Sequence, residues 1–268
     1  MDFKLPQRKE NSNKGTYGKV LNIAGSKYMS GAACLSSLAA LRSGCGYVQL
    51  LSEDTVLRAV ARLAPEVIFA PLEELENVIK TADVLAIGCG LSTSDEAVEL
   101  FKKAITISKL PTVIDADGLN ILSKLENPVL PPTVILTPHP KEASRLLQTP
   151  LENVLNNMEE SAKEITKKYN CITVLKSHRT IVCSTNNEIY YNTTGNSALA
   201  KSGSGDVLTG IISALLAQKM QAYDAACLGV YIHGLTGDIA KNDLTEYGVL
   251  ASDQIRYIPY AFKSLIKD

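Results

Sequence analysis

What this sequence lacks narrows it first. No apolar stretch approaches the length of a membrane span, and the amino terminus, Met1 to Gly15, is polar and charged, without the apolar core of a secretory signal. A cytoplasmic protein with no membrane partner is the expectation. Neither sign of charge is in excess: 27 Lys and Arg stand against 28 Asp and Glu, a formal net charge of −1. No global field can hold nucleic acid or anionic lipid, so no nucleic-acid partner is expected and any bound anion must be held locally. No CxxC pair occurs among Cys34, Cys45, Cys89, Cys171, Cys183 and Cys227, which lie mostly in apolar segments and read as buried free thiols rather than disulfides.

Three further absences concern chemistry and organisation. No G-x-x-x-x-G-K-[ST] run exists, which excludes a P-loop, and Gly88-Cys89-Gly90 lacks the third glycine of a dinucleotide-binding fingerprint. No Pro/Gly/Ser linker, charged block or internal repeat divides the 268 residues, so a single domain over 1–268 is the simpler reading.

What is present is ordinary globular composition, 46% hydrophobic and 21% charged. Short apolar runs, Val20 to Ala24, Tyr47 to Leu51, Val84 to Ile87, Thr112 to Ile114 and Val134 to Leu136, read as strands buried on both faces. Helical patterns lie between and after them: Ser30 to Arg42, the 3- and 4-residue spacing of Leu155, Met158, Ala162 and Ile165, and Val207, Leu208, Ile211 and Leu215. Past Cys171 the runs Thr173 to Leu175, Thr180 to Cys183 and Glu188 to Tyr191 are joined by short polar turns and predict antiparallel strands. The tail predicts helices over Ala225 to Ala240 and Ser252 to Ile266, the last bent or interrupted by Pro259. The fold class is α/β: a central, mainly parallel sheet with helices on both faces, a short antiparallel region, and ligands bound beyond the carboxyl ends of the strands.

Chemistry concentrates on Gly203-Ser204-Gly205-Asp206, where a flexible loop enters a helix. The first N–H groups of a helix lack intrahelical partners and carry partial positive charge, and glycines let phosphate oxygens approach them. Asp206 is either a helix cap or a base that deprotonates a hydroxyl attacking a phosphate. Thr137-Pro138-His139-Pro140-Lys141-Glu142 is a stiff turn holding His139 at the sheet edge, and Lys176-Ser177-His178-Arg179-Thr180 offers donors for phosphate or ribose, or is a solvated hairpin turn. Asp115 and Asp117 could hold Mg²⁺ or cap the next helix, and spacing alone names no metal ligand. Gly25-Ser26 and Ser30-Gly31-Ala32-Ala33 offer small residues beside a helix start.

Together, Ala24-Gly25-Ser26-Lys27-Tyr28, Ser30-Gly31-Ala32-Ala33, Asp115-Ala116-Asp117-Gly118-Leu119, Thr137 to Glu142 and Gly203 to Gly210 resemble the ADP/ATP-dependent NAD(P)H-hydrate dehydratases of the ribokinase-like superfamily, from about Gly15 to the carboxyl end. The resemblance implies a repair lyase that spends a nucleotide's terminal phosphate on the hydroxyl of the S epimer of hydrated NADH or NADPH, converting ADP to AMP and phosphate and restoring the reduced nicotinamide. It implies Mg²⁺ with ADP or ATP as co-substrate, contacts from Ala33, Gly90, His139 and Asp206 to the hydrated dinucleotide, and contacts from Lys176, Ser177, His178, Arg179, Thr180 and Gly205 to the adenine nucleotide. Asp206 would be the catalytic base. A homo-oligomer, a tetramer by family expectation, and an epimerase supplied as a separate protein also follow from it. The sequence departs from the family's frequent Pro in the turn at Gly88-Cys89-Gly90-Leu91, and family members vary at the position of Ser204. The rival is a kinase of the same fold acting on a vitamin precursor or sugar hydroxyl, because a base and an anion hole serve either outcome.

Overall fold

The computed structural model describes residues 3–266. Strands and helices alternate in chain order: β1 (Lys19–Ile23), α1 (Ser30–Arg42), β2 (Tyr47–Ser52), α2 (Asp54–Ala61), β3 (Ile68–Pro71), α3 (Leu75–Val78), β4 (Val84–Ile87), α4 (Asp95–Ile107), β5 (Thr112–Ile114), α5 (Asp117–Leu122) and β6 (Val134–Leu136). Three helices follow, α6 (Pro140–Leu147), α7 (Leu151–Asn156) and α8 (Met158–Tyr169), then β7 (Ile172–Leu175), β8 (Ile181–Cys183) and β9 (Ile189–Tyr191). The chain ends in α9 (Ser204–Ala217), α10 (Ala222–Gly248) and α11 (Ala251–Leu265).

The strands form one nine-stranded sheet in the order β3-β2-β1-β4-β5-β6-β7-β8-β9. Pairing is parallel from β3 through β7 and antiparallel from β7 to β9. Strand side chains alternate between two cores: Val20, Val84 and Ala86 join α1, α9, α10 and α11 on one face, and Leu21, Leu85 and Ile87 join α4, α5, α6 and α8 on the other. Burial on both faces explains why these strands read as continuous apolar runs.

The helix expected through Leu155 and Ile165 is two helices. Asn157 takes a non-helical conformation (φ −136°, ψ 52°), separating α7 from α8, so the spacing of Leu155 and Met158 crosses a break. Leu155 is accordingly 54% exposed. Pro259 does not interrupt α11, which runs from Ala251 to Leu265 on the buried face of Ile255, Ile258 and Ala261. Packing outweighs the one lost backbone donor. The helix expected to stop at Ala240 runs on to Gly248, with its break at Thr245 (φ 61°, ψ 165°).

Helix α9 is the centre of the helical layer. It is apolar almost all round, with Val207, Leu208, Ile211, Ile212 and Leu215 buried, as a helix enclosed by others must be. Its close partner is α1, whose buried face is small: Ala32, Ala33, Ser36, Ser37, Ala39 and Ala40. Gly210 makes the approach possible, because a Cβ there would stand 2.3 Å from the Ser36 carbonyl oxygen and 2.9 Å from the Ala40 nitrogen, both backbone atoms. Gly210→Ala is therefore expected to cost about 2–3 kcal/mol by urea unfolding. A loss under about 0.5 kcal/mol would contradict this packing.

Candidate active site

The site forms where the parallel strands end. β1 leads into Gly25, β4 into Gly88-Cys89-Gly90, β5 into Asp115, β6 into Thr137-Pro138-His139 and β7 into Lys176, and of these Cys89, Asp115 and Lys176 lie against the amino-terminal turn of α9. Gly203 is the N-cap of α9 in a left-handed conformation (φ 89°, ψ −14°), and no side chain accepts a hydrogen bond from the turn that follows. A Cβ on Gly203 would lie 2.5 Å from Leu35 and 3.0 Å from Ala251. The first N–H groups of a fourteen-residue helix are thus without a side-chain cap, as an anion site requires. Asp206 lies inside the first turn, so the helix-cap reading of that residue does not hold.

Lys176 reaches this turn from β7. Its Nζ donates to Asp115 Oδ1 at 2.7 Å, stands 4.0 Å from Glu142 Oε2, and would be 3.3 Å from a Cβ at Gly205. Burial works against the Lys176 charge, but the Asp115 and Glu142 carboxylates outweigh it and hold the ammonium above its ordinary value. Asp115 is 1% exposed, and its other oxygen accepts from the Thr209 hydroxyl at 2.8 Å. Asp115 therefore does not cap α5, whose N-cap is Ala116, and its oxygens are engaged by Lys176 and Thr209. Asp117 accepts from the Ser92 N–H at 2.8 Å and from the Asn120 amide at 3.3 Å.

Asp206 is the group most out of balance. Burial raises its carboxyl to about 6, and the Asp115 charge pushes in the same direction. Cys89, 1% exposed, lies beside it, and burial and the Asp206 charge push that thiol well above its ordinary value. All six cysteines are free and buried. Glu142 is raised to about 7, chiefly by burial.

The Thr137 to Glu142 turn is a capping box. His139 Nδ1 accepts from the N–H groups of Lys141 and Glu142 at 3.1 and 3.3 Å, and Glu142 Oε2 accepts from the His139 N–H at 2.8 Å. Nδ1 being the acceptor, the neutral ring carries its proton on Nε2. Burial and then the Lys176 charge hold His139 below its usual value.

A cavity of about 830 Å³ opens beside the turn, and its wall brings together His139, Lys176, Ser177, His178, Thr180 and Gly205. Arg179 is exposed and outside that wall. A second cavity of about 450 Å³ lies against Gly25, Ser26, Tyr28, Leu91 and Ser92. Ala33 and Gly90 line neither cavity: Ala33 is fully enclosed, 3.0 Å from a Cβ position on Gly25, and Gly90 lies against Ala32 and Met29. The larger cavity also takes in Ser204 of the glycine-rich helix start, together with Asn196, His233 and Gly234, to which sequence reasoning assigned no role. The signal available for the last two was the run His233-Gly234-Leu235-Thr236-Gly237-Asp238, with two glycines inside a helical pattern.

A nine-stranded, mainly parallel α/β sheet whose strand ends meet an uncapped helix start, with a half-buried carboxylate in its first turn, is the architecture of a ribokinase-like protein. A family model described as NAD(P)H-hydrate dehydratase matches residues 20–260. The ADP-dependent (S)-NAD(P)H-hydrate dehydratase of Neisseria meningitidis is 41% identical over 255 residues, covering 92% of this chain and 85% of that one. The crystal structure of the ADP/ATP-dependent NAD(P)H-hydrate dehydratase from Bacillus subtilis, co-crystallised with ATP/Mg²⁺, superposes with a TM-score of 0.89 at 31% identity, covering 98% of this chain and 95% of that one. A ribokinase-like superfamily protein from Enterococcus faecalis superposes with a TM-score of 0.90 at 30% identity, covering 98% and 93%. The chain spans about half the length of the bifunctional repair enzymes it also matches, 52% of that of Moorella thermoacetica at 35% identity and 97% coverage of this chain. The chain belongs to the NAD(P)H-hydrate dehydratase family.

The raised Asp206 carboxyl has a consequence for stability. Between its unfolded value near 4 and its folded value of about 6 the native state binds more protons, so this group's contribution falls as pH rises through that window. Asp206→Asn removes the burial cost of the charge and is expected to raise stability by about 1–3 kcal/mol at pH 8, with no gain near pH 4. Urea unfolding at the two pH values measures both, and destabilisation at pH 8 would contradict the assignment.

Proposed function

We propose that this protein dehydrates the S epimer of hydrated NADH or NADPH back to the reduced dinucleotide, converting ADP to AMP and phosphate. The observation that carries this reading is Asp206, a half-buried carboxylate whose hold on a proton is raised, placed beside backbone N–H groups able to take a phosphate. A carboxylate would repel a phosphate bound for its own sake but suits the deprotonation of a hydroxyl that attacks one. Asp206 takes the proton from the hydrated ring's hydroxyl as that oxygen attacks the nucleotide's terminal phosphorus, and AMP departs. The C–O bond then breaks, the oxygen leaving with the phosphate, a far better leaving group than hydroxide, and the neighbouring ring carbon gives up a proton to solvent so that its C–H electron pair restores the ring double bond. The α9 N–H groups and Lys176 offset the charge gathering on the transferred phosphoryl group.

In this reading His139 and Asp206 face the hydrated dinucleotide, with Ala33 and Gly90 contributing to its site, and Lys176 to Thr180 with Gly205 hold ADP or ATP. Among the described residues no group of three or more His, Cys, Asp or Glu side chains is placed to hold a metal ion by itself. Mg²⁺ bound to phosphates keeps several waters and asks for only one or two carboxylates of the protein. When bound, it would share the charge on the phosphoryl group. The same reading includes a single ribokinase-like domain, a cytoplasmic homo-oligomer, a tetramer by the family resemblance, and an epimerase as functional partner. Among the described residues no helix is long and apolar enough to cross a membrane.

Incubation with ADP, Mg²⁺ and hydrated NADH should restore the absorbance of NADH. Accumulation of a phosphorylated alcohol without dehydration would instead indicate a kinase of the same fold. Asp206→Asn should keep nucleotide binding and lose roughly two or more orders of magnitude in turnover, and the acid limb of the wild-type kcat profile should fall near pH 6. His139→Ala should weaken the hydrated dinucleotide more than ADP. Equal losses in separate titrations would give His139 a structural role only.

A further inference from the structure

The wall of the larger cavity between β9 and α9 has no strand of its own, yet it is held at both ends by one helix. Residues His233, Gly234, Gly237 and Asp238 fall on one face of α10, at spacings that a helical repeat brings together. Asp238 accepts two hydrogen bonds from the loop: the Gly195 N–H at 2.8 Å to Oδ2 and the Asn196 side-chain amide at 2.8 Å to Oδ1. Asn196, held in this way, accepts from the Ala198 N–H at 2.9 Å and starts the short turn that follows. Thr194 donates to the Tyr231 carbonyl at 2.8 Å, and the loop lies so close to α10 that a Cβ on Gly234 would be 2.2 Å from the Thr194 hydroxyl. A Cβ on Gly237 would be 2.6 Å from Leu199.

The other end is held by His233. Its Nε2 lies 2.9 Å from the Ser204 carbonyl and 3.0 Å from the Ser204 hydroxyl. A carbonyl only accepts, so the ring proton sits on Nε2. The Ser204 hydroxyl then donates onward to Gln254 Oε1 of α11 at 3.2 Å. Burial holds His233 down at about 4, so this donor stays neutral across the working pH range. Ser204 is the first residue of α9, next to Gly205 and two before Asp206. Asn196, Ser204, His233 and Gly234 all line the cavity that also contains Lys176 and Ser177.

We propose that Asp238 and His233 are positioning residues: Asp238 holds the Gly195–Asn196 segment as the nucleotide-facing wall, and His233 holds the first turn of α9 so that its N–H groups and Asp206 keep their placement. This rests on the reading of the cavity as the adenine-nucleotide site. The two anchors act on different steps. Asp238 touches only the wall, so its loss should be felt in nucleotide binding. His233 grips the turn that carries the base, so its loss should be felt in turnover.

The test titrates ADP alone by calorimetry, follows hydrogen exchange of the 194–198 amides, and measures kcat and both KM values. Asp238→Ala is expected to weaken ADP roughly tenfold, to speed exchange at Gly195 and Ala198, and to move kcat and the KM for the hydrated dinucleotide far less. Asp238→Asn keeps an acceptor for one of the two donors, so it should fall between Ala and wild type, and it carries the test if Asp238→Ala does not fold. His233→Ala should lower kcat roughly tenfold or more with a smaller change in ADP affinity, and His233→Gln, which retains a donor, should recover part of the loss. ADP affinity unchanged in both Asp238 variants would overturn the proposal, as would equal losses for both substrates. A wild-type protein that binds ADP but dehydrates nothing overturns the lyase reading alone, and the ADP titrations still decide the positioning. One that binds no adenine nucleotide overturns both.

Discussion

The pairing of Lys176 with Asp115 is the interaction on which the site depends. It joins the end of β7 to the end of β5 at 2.7 Å, with Asp115 nearly sealed from solvent and Lys176 keeping a fifth of its side chain exposed. Isolated burial of either charge would be costly, and a buried pair persists only where further hydrogen bonds satisfy the remaining atoms. Thr209, from the second turn of α9, supplies the bond to the other Asp115 oxygen. One carboxylate thus fixes a lysine from the sheet and a hydroxyl from the central helix. The result is an ammonium held next to Gly205, where the uncapped N–H groups of α9 begin.

This arrangement leaves negative charge in surplus. Lys176 faces Asp115, Glu142 and Asp206, and it forms its short contact with only the first. Glu142 and Asp206 are accordingly both raised, to about 7 and about 6, with burial as the leading cause. The two nearby histidines move the opposite way: burial lowers His139 and holds His233 at about 4. Raised carboxylates favour the fold at low pH and lose that advantage as pH rises toward 6 or 7. Lowered histidines penalise the fold at acid pH and cease to do so as pH rises through their unfolded value near 6.5. The two effects oppose one another across the same window, so stability can stay level while the protonation of Asp206 changes. Local tuning of one carboxyl is then compatible with a fold of ordinary pH tolerance.

Most of the fold was legible because the strands are buried on both faces and short, and because the small polar start at Ser30 and the glycine stop at Gly44 bracket α1, although Ser30 is the first helical residue and caps nothing. The exceptions have local causes. β3 carries Ile68 at 43% exposure and ends in Pro71, an edge strand with no continuous apolar signal. The α7–α8 break depends on the backbone of a single asparagine within an otherwise helical spacing. At the site, the glycine-rich helix start and the His139 turn were legible as units, since each is local in sequence. The Lys176–Asp115 pair was not: 61 residues separate its members, and only the parallel order β5-β6-β7 brings the two strand ends together.

The same distinction explains why α10 was read only as a helix. Its apolar spacing marks the buried face, but the role of His233 and Asp238 lies in what the 192–206 segment does opposite them, and that segment has no periodicity. An irregular loop cannot satisfy its own polar groups, so a loop lining a cavity must borrow partners from regular structure. Here the lender is a long helix packed against both α9 and α11, whose position is set by Ala225, Cys227, Leu228 and Val230 in the core rather than by the ligand. A wall built in this way keeps its shape when the cavity is empty, because its contacts are made to the scaffold. Ordering the wall would then cost little at the moment the proposed nucleotide arrives, leaving more of the binding free energy to hold its phosphate against the start of α9.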